Sequence, residues 1–148
     1  MNDIPTNAYP HHVSIADGDV DIQGRVSNHD IVRIVADAAA AHSAHLGWDL
    51  DAYRRLGAWW VVRRHEIDYL QPATAGDDLI CYTWPASFEK IRAVRRHVLV
   101  RPADQAVIAR ALNVWTLIDI QSGRPRRFPA DIVEAFDPAK WMGAPGEA

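Results

Sequence analysis

Apolar residues first recur at helical spacing between positions 31 and 45, where Ile31, Val35, Ala38, Ala41 or His42, and His45 fall three or four apart on one face. Gly47 supplies a stop after Leu46, and Ser27 or Asn28 can cap the start by accepting a hydrogen bond from an open first-turn amide. The spacing predicts one long helix. Its four consecutive alanines, Ala38 to Ala41, favour helix and add little bulk, so a neighbour can approach closely there. A shorter helix is expected over residues 51–56.

Further along the chain the period changes to two. Trp59, Val61, Ile67 and Tyr69 share one parity, with Glu66 and Asp68 between them, and Pro72 and Gly76-Asp77 end the strand this predicts. Ile80, Tyr82 and Trp84, then Val94, Val98 and Val100, predict two more half-buried strands. Residues 107–120 are apolar on both parities near Val114 to Ile118, as in a strand covered on both faces. Residues 12–16 read as a first strand, after an opening arm through Pro10 that is expected to lie loosely on the surface. The acidic run over residues 17–21, with Gly24, reads as a turn-rich loop. Ser122-Gly123-Arg124-Pro125 is a turn, residues 131–136 a closing helical turn, and the tail from Pro138 is expected to fray. Four antiparallel strands must bury a face, and the alanine-rich helix is the only long element available to cover it. The fold class is therefore expected to be α+β, a curved antiparallel sheet of five to six strands wrapped around one long helix.

The length of 148 residues fits one domain, and 49% apolar with 24% charged residues is an ordinary globular composition. A formal charge of -3 gives no general attraction for nucleic acid, so an anionic ligand has to be met by a local cluster. Cys81 is the only cysteine, which excludes an intrachain disulfide and a cysteine-rich zinc site. His42 and His45 stand three apart without a third ligand at convincing spacing, and no metal is expected. The first dozen residues lack the features of a secretory signal and no segment is apolar enough to span a bilayer, so no membrane contact and a cytoplasmic location are expected.

The segment Asp19-Val20-Asp21-Ile22-Gln23-Gly24-Arg25-Val26-Ser27-Asn28, between a first strand and a long helix, resembles the D-x-D-x-x-G-H-V-N-N segment of the hotdog thioesterases. That group includes the 4-hydroxybenzoyl-CoA thioesterase-like and the acyl-ACP thioesterases. Arg63, Ile67-Asp68-Tyr69, Pro72 and Gly76-Asp77 look like the family's second strand and exit turn, and Gly123-Arg124-Pro125 with Phe128-Pro129 is similar to its closing segment. Arg25 stands where many members have His, Ser27 where many have Asn or Tyr, and Ile31 where an aromatic is usual. The resemblance implies a single hotdog domain that hydrolyses an acyl thioester of coenzyme A or of an acyl carrier protein. The only cofactor-like group is then the coenzyme A or phosphopantetheine of the substrate. It also implies a homodimer, or a dimer of dimers, with sites between subunits, so that residues around Trp59 to Arg64 of one chain face Asp21 of the other.

By resemblance Asp21 is the catalytic carboxylate and the backbone near Asn28 polarises the thioester. The chemistry suits those positions. A helix start presents free N–H groups and a positive dipole end where an oxyanion forms, so Gly24, Arg25, Val26, Ser27 and Asn28 can bind the reacting carbonyl. Asp21 can activate water or attack directly to give a mixed anhydride. The plainer reading makes Asp21 a turn acid and Asn28 an N-cap. Arg124 and Arg126, with Arg127, can hold the phosphates of coenzyme A or stand as a solvated turn. Trp59 and Trp60 point to opposite faces of a strand, and Trp60 is the candidate for the acyl site. The competing readings are a hotdog dehydratase or hydratase, and a non-catalytic acyl-thioester binder.

Overall fold

The structure, a computed structural model, describes residues 3–137. Its elements are β1 (Tyr9–Ser14), a short 3-10 turn (Asp17–Asp19), α1 (Asn28–His45), α2 (Leu50–Leu56), β2 (Ala58–Tyr69), β3 (Asp78–Glu89), β4 (Arg92–Arg101), β5 (Ala106–Asp119) and α3 (Ala130–Ala135). The strands form one antiparallel sheet in the order β1-β3-β4-β5-β2, so β2 and β1 are its edges. With α1 laid against one face, this is the α+β arrangement that the pattern predicts and the hotdog fold that the resemblance implies.

Of the two candidate caps for α1, Ser27 takes the position: its Oγ accepts from the Asp30 amide and donates to the Asp30 carboxylate at 2.7 Å. Ile31, Ile34 and Ala38 then project onto Leu79, Cys81, Leu99, Ile108 and Ala109 of the sheet. Full burial of each large aliphatic side chain contributes about 1.5–3 kcal/mol. That packing fixes the helix start against the sheet. A second cluster at the other end joins Tyr53, Ala58, Leu117, Ile132 and Phe136, so α2 and α3 close the sheet beside the last turns of α1.

Three expectations need correction. The opening arm is not loose over its described part: Ile4 and buried Ala8 pack with Trp84, Val98 and Val100, and pairing begins at Tyr9 rather than near residue 12. Those partners lie on the outer face of β3 and β4. The parity that faces α1 is the other one, Leu79, Cys81 and Thr83 on β3 and Arg95, His97 and Leu99 on β4. In β2 the register shifts between Val62 and Arg64, so Trp60 and Ile67 reach the same face despite opposite parity. The tail from Pro138 lies outside the described residues.

Candidate functional site

The loop between β1 and α1 is built on a tight turn. The Asp21 amide donates to the Arg25 carbonyl at 2.7 Å and the Gly24 amide to the Asp21 carbonyl at 2.9 Å, while Gly24 takes a φ of 76° that a side chain would strain. The Asp21 carboxylate lies across this turn, its Oδ1 accepting from the amides of Gln23 at 2.8 Å and Arg25 at 3.1 Å. Its Oδ2 takes no hydrogen bond from the described residues. Val26 is buried and its amide donates to the Ala73 carbonyl at 2.8 Å, which ties the turn to the segment after β2. The neighbouring Asp19 has a separate role, accepting from the Ala16 amide at 3.0 Å and facing Arg33.

Beside the turn lies a cavity of about 260 Å³, lined by Arg25, Val26, Asn28 and Ile31 on one side and by residues 69–73 on the other. Ser27 is engaged with Asp30, and the Ile31 amide bonds to the Ser27 carbonyl, so the cap occupies that side of the helix end. The amides of Asn28 and His29 belong to the first turn, where no preceding helical carbonyl can reach them. Asp21, Gly24, Arg25, Val26, Ser27 and Asn28 are thus brought together. Asp21 sits at the exposed rim, outside the cavity lining, and Ile22 beside it is fully solvent-exposed.

Trp60, Arg124 and Arg126 are elsewhere in the same chain. Trp60 is nine residues from Tyr69 along β2, roughly 30 Å at the usual rise of an extended strand. Its Nε1 donates to the Tyr53 hydroxyl at 2.8 Å, which in turn lies 2.7 Å from Ser43 Oγ, and Ser43 donates to the Trp48 carbonyl at 2.6 Å. This chain of bonds fixes one wall of a larger apolar cavity, about 390 Å³, between the second half of α1, α2 and the inner face of the sheet. Ala39, Ala40, Trp48, Tyr53, Trp60 and Phe88 are among its lining. The alanine run therefore opens onto a cavity as well as packing closely at Ala38. Arg126 is held by the Leu56 carbonyl at 3.3 Å near the Ala58 end of β2, and Arg124 is exposed close to it.

Polar groups buried under α1 are candidate site residues that pattern alone does not single out. Arg95 is 7% exposed and donates from Nη1 to Thr83 Oγ1 at 3.0 Å and to His42 Nδ1 at 2.9 Å, with Phe136 against its guanidinium. Burial lowers the Arg95 guanidinium to about 10, and it raises the thiol of buried Cys81 to about 12, so Cys81 stays protonated and inert. His97 lies beside Cys81 and near Arg95; burial first, then the Arg95 charge, pushes its imidazole well below the usual 6.5. Arg95, His97 and Leu99 share the parity facing α1, but in the sequence the two polar residues read as solvent-facing positions. His42 is buried on Arg95 while His45 is exposed, and no group of three or more metal-binding side chains occurs among the described residues.

His97 has a consequence for stability. The unfolded chain protonates near 6.5 and the folded chain does not, so stability is fully present above that value and is lost as the pH falls through it. The loss per group is up to about 1.4 kcal/mol per pH unit. Urea unfolding between pH 7.5 and 5 is expected to show this slope, and His97→Gln to flatten it by one proton. An unchanged slope in the variant would place the titration elsewhere.

This fold, one antiparallel sheet packed on a single long helix, is that of the hotdog-fold thioesterases. Residues 6–136 match the model of the acyl-ACP thioesterase N-terminal domain, and the chain belongs to that family. None of the curated proteins compared with it matches. Among solved structures, the chain is similar to a putative oleoyl thioesterase from Lactobacillus plantarum, with a TM-score of 0.82 and 20% identity over 88% of this chain and 52% of that one. It is also similar to a 1,4-dihydroxy-2-naphthoyl-CoA thioesterase from Synechocystis, with a TM-score of 0.80 and 16% identity over 87% and 95%. An acyl-ACP thioesterase from Bacteroides thetaiotaomicron gives 0.78 and 18% over 86% and 52%. The chain thus spans about half the length of the first and third of these proteins. No helix among the described residues is long and apolar enough to cross a membrane.

Proposed function

We propose that this chain hydrolyses acyl thioesters of coenzyme A or acyl carrier protein, with Asp21 as general base or nucleophile and the start of α1 as the oxyanion site. The observation that carries the reading is the Asp21 carboxylate, oriented through Oδ1 by two backbone amides and with Oδ2 open, in the turn that leads directly into α1. As general base, Asp21 takes a proton from water as its oxygen attacks the carbonyl. The oxyanion is met by amides of the first helical turn, the C–S bond then breaks, and the thiolate leaves with a proton.

The second half of the reading is a site shared by two copies. β2 is a twelve-residue edge whose far side pairs with no described strand, and Trp59, Tyr69 and Leu70 along it are 43–49% exposed. Long exposed edges of this kind favour pairing with another chain. Antiparallel pairing of two β2 edges about a two-fold axis sets the Ala58 end of one against the Tyr69 end of the other. The larger cavity, with Trp60, and the arginines 124 and 126 of one copy then lie beside Asp21 and Asn28 of its partner. The acyl group enters the partner's apolar cavity and the arginines meet the phosphates of the carrier arm. The homodimer is the minimal assembly, and a dimer of dimers keeps the same site.

Free-thiol release from aromatic, short-chain and long-chain acyl-CoA and acyl-carrier-protein substrates tests the reading. Turnover on at least one class is expected, with kcat/KM ordering the acyl groups by their fit to the larger cavity. A protein inert across the whole panel would overturn the hydrolase reading in favour of a non-catalytic acyl-thioester binder or another hotdog activity, such as a dehydratase or hydratase.

A further inference from the structure

Arg95 is a buried cation with no ion pair among the described residues. Nη1 serves Thr83 and His42, and no ion pair joins the guanidinium to a described carboxylate. Its Nε and Nη2 donors make no hydrogen bond to the described residues, yet Arg95 stands in the lining of the larger cavity. The rest of that lining is mostly alanines and aromatic rings; its other polar members are engaged locally, Asp49 Oδ1 by the Ala52 amide at 2.9 Å and Ser43 with the Tyr53 hydroxyl. Burying a charge is costly unless it is paired, and an arginine fork matches a carboxylate with two parallel bonds. A plain alkyl or aromatic acyl group would fill the volume and leave that charge uncompensated.

We propose that the larger cavity takes an acyl group whose distal end carries a carboxylate, bound by Arg95. The inference rests on the thioesterase reading for its route in, and names the substrate class: thioesters of dicarboxylic acids, with the thioester at the helix start and the free carboxylate at Arg95. Arg95 touches the substrate far from the reacting carbonyl, so it sets specificity through binding. Charge-assisted hydrogen bonds of this kind correspond to about tenfold or more in affinity.

The test compares adipoyl-CoA with hexanoyl-CoA, equal in chain length, and with the methyl ester of adipoyl-CoA. Wild type is expected to favour adipoyl-CoA by about tenfold or more in kcat/KM, mostly through KM, and to treat the methyl ester like hexanoyl-CoA. Arg95→Met is expected to abolish that ratio and Arg95→Lys to retain part of it. Should Arg95→Met not fold, the wild-type ratio among the three substrates decides alone. A preference for hexanoyl-CoA, or a ratio that survives in folded Arg95→Met, overturns the proposal while leaving the hydrolase standing. If no thioester is turned over, binding of hexanoate against hexanamide by calorimetry still reads the site: carboxylate selectivity lost in Arg95→Met supports it, and equal binding overturns it.

Discussion

Asp21→Asn is expected to lower thiol release by about a hundredfold or more while the protein melts within about 2 °C of wild type. The two halves of that outcome come from different oxygens. Oδ1 accepts the amides of Gln23 and Arg25, and the amide oxygen of asparagine can accept both, so the turn is preserved. What asparagine removes is the charge and basicity at the open Oδ2. Asp21→Ala loses both hydrogen bonds as well and should cost about 0.5–2 kcal/mol of stability, the range for lost caps. Asn28→Ala is expected to change turnover by less than about tenfold, because a backbone amide there survives truncation of the side chain. Initial rates of thiol release with thermal melts on the same preparations separate these cases. Wild-type rates in Asp21→Asn would leave Asp21 a turn-forming acid and remove the centre of the proposed mechanism.

Features written into local pattern are legible in the sequence alone. Ile31, Val35 and Ala38 share a helical face, and Ser27 stands where a cap is needed, so α1 can be placed almost to the residue. The turn holding Asp21 and Gly24 carries its own signal in Asp–Gly chemistry. Arg95 does not, because an arginine in an alternating strand reads as solvent-facing unless something is known to cover that parity. Val98 and Val100 point the same wrong way: the opening segment, through Ile4 and Ala8, covers part of the outer face on which they lie. The bulge after Val62 has the same character, since one inserted residue reverses every later side chain and nothing local announces it. Trp60 stands in the lining of a cavity, as its place in the pattern suggests, but its distance from Asp21 along one chain is invisible to a pattern.

That distance makes the strongest discriminating experiment a mixture. Asp21→Asn disables the chemical centre, and Ala40→Trp fills the larger cavity from an exposed helix position where the substitution costs only tenths of a kcal/mol in helix propensity. Each variant alone is expected to be inactive on acyl groups that need the cavity. If both groups served one chain's site, mixing the variants would restore nothing, since every chain carries one defect. When Asp21 of one copy works with the cavity of its partner, a mixed dimer concentrates both defects in one site and leaves the other intact. Unfolding and refolding the two variants together at equal concentration makes half of the dimers mixed, so roughly a quarter of wild-type turnover is expected to return. Turnover that stays at background in a sample shown by native mass spectrometry to contain mixed dimers would place the whole site within one chain. A sample that sediments as monomers would remove the shared site altogether, and with it the route by which an acyl group held at the start of α1 reaches Arg95.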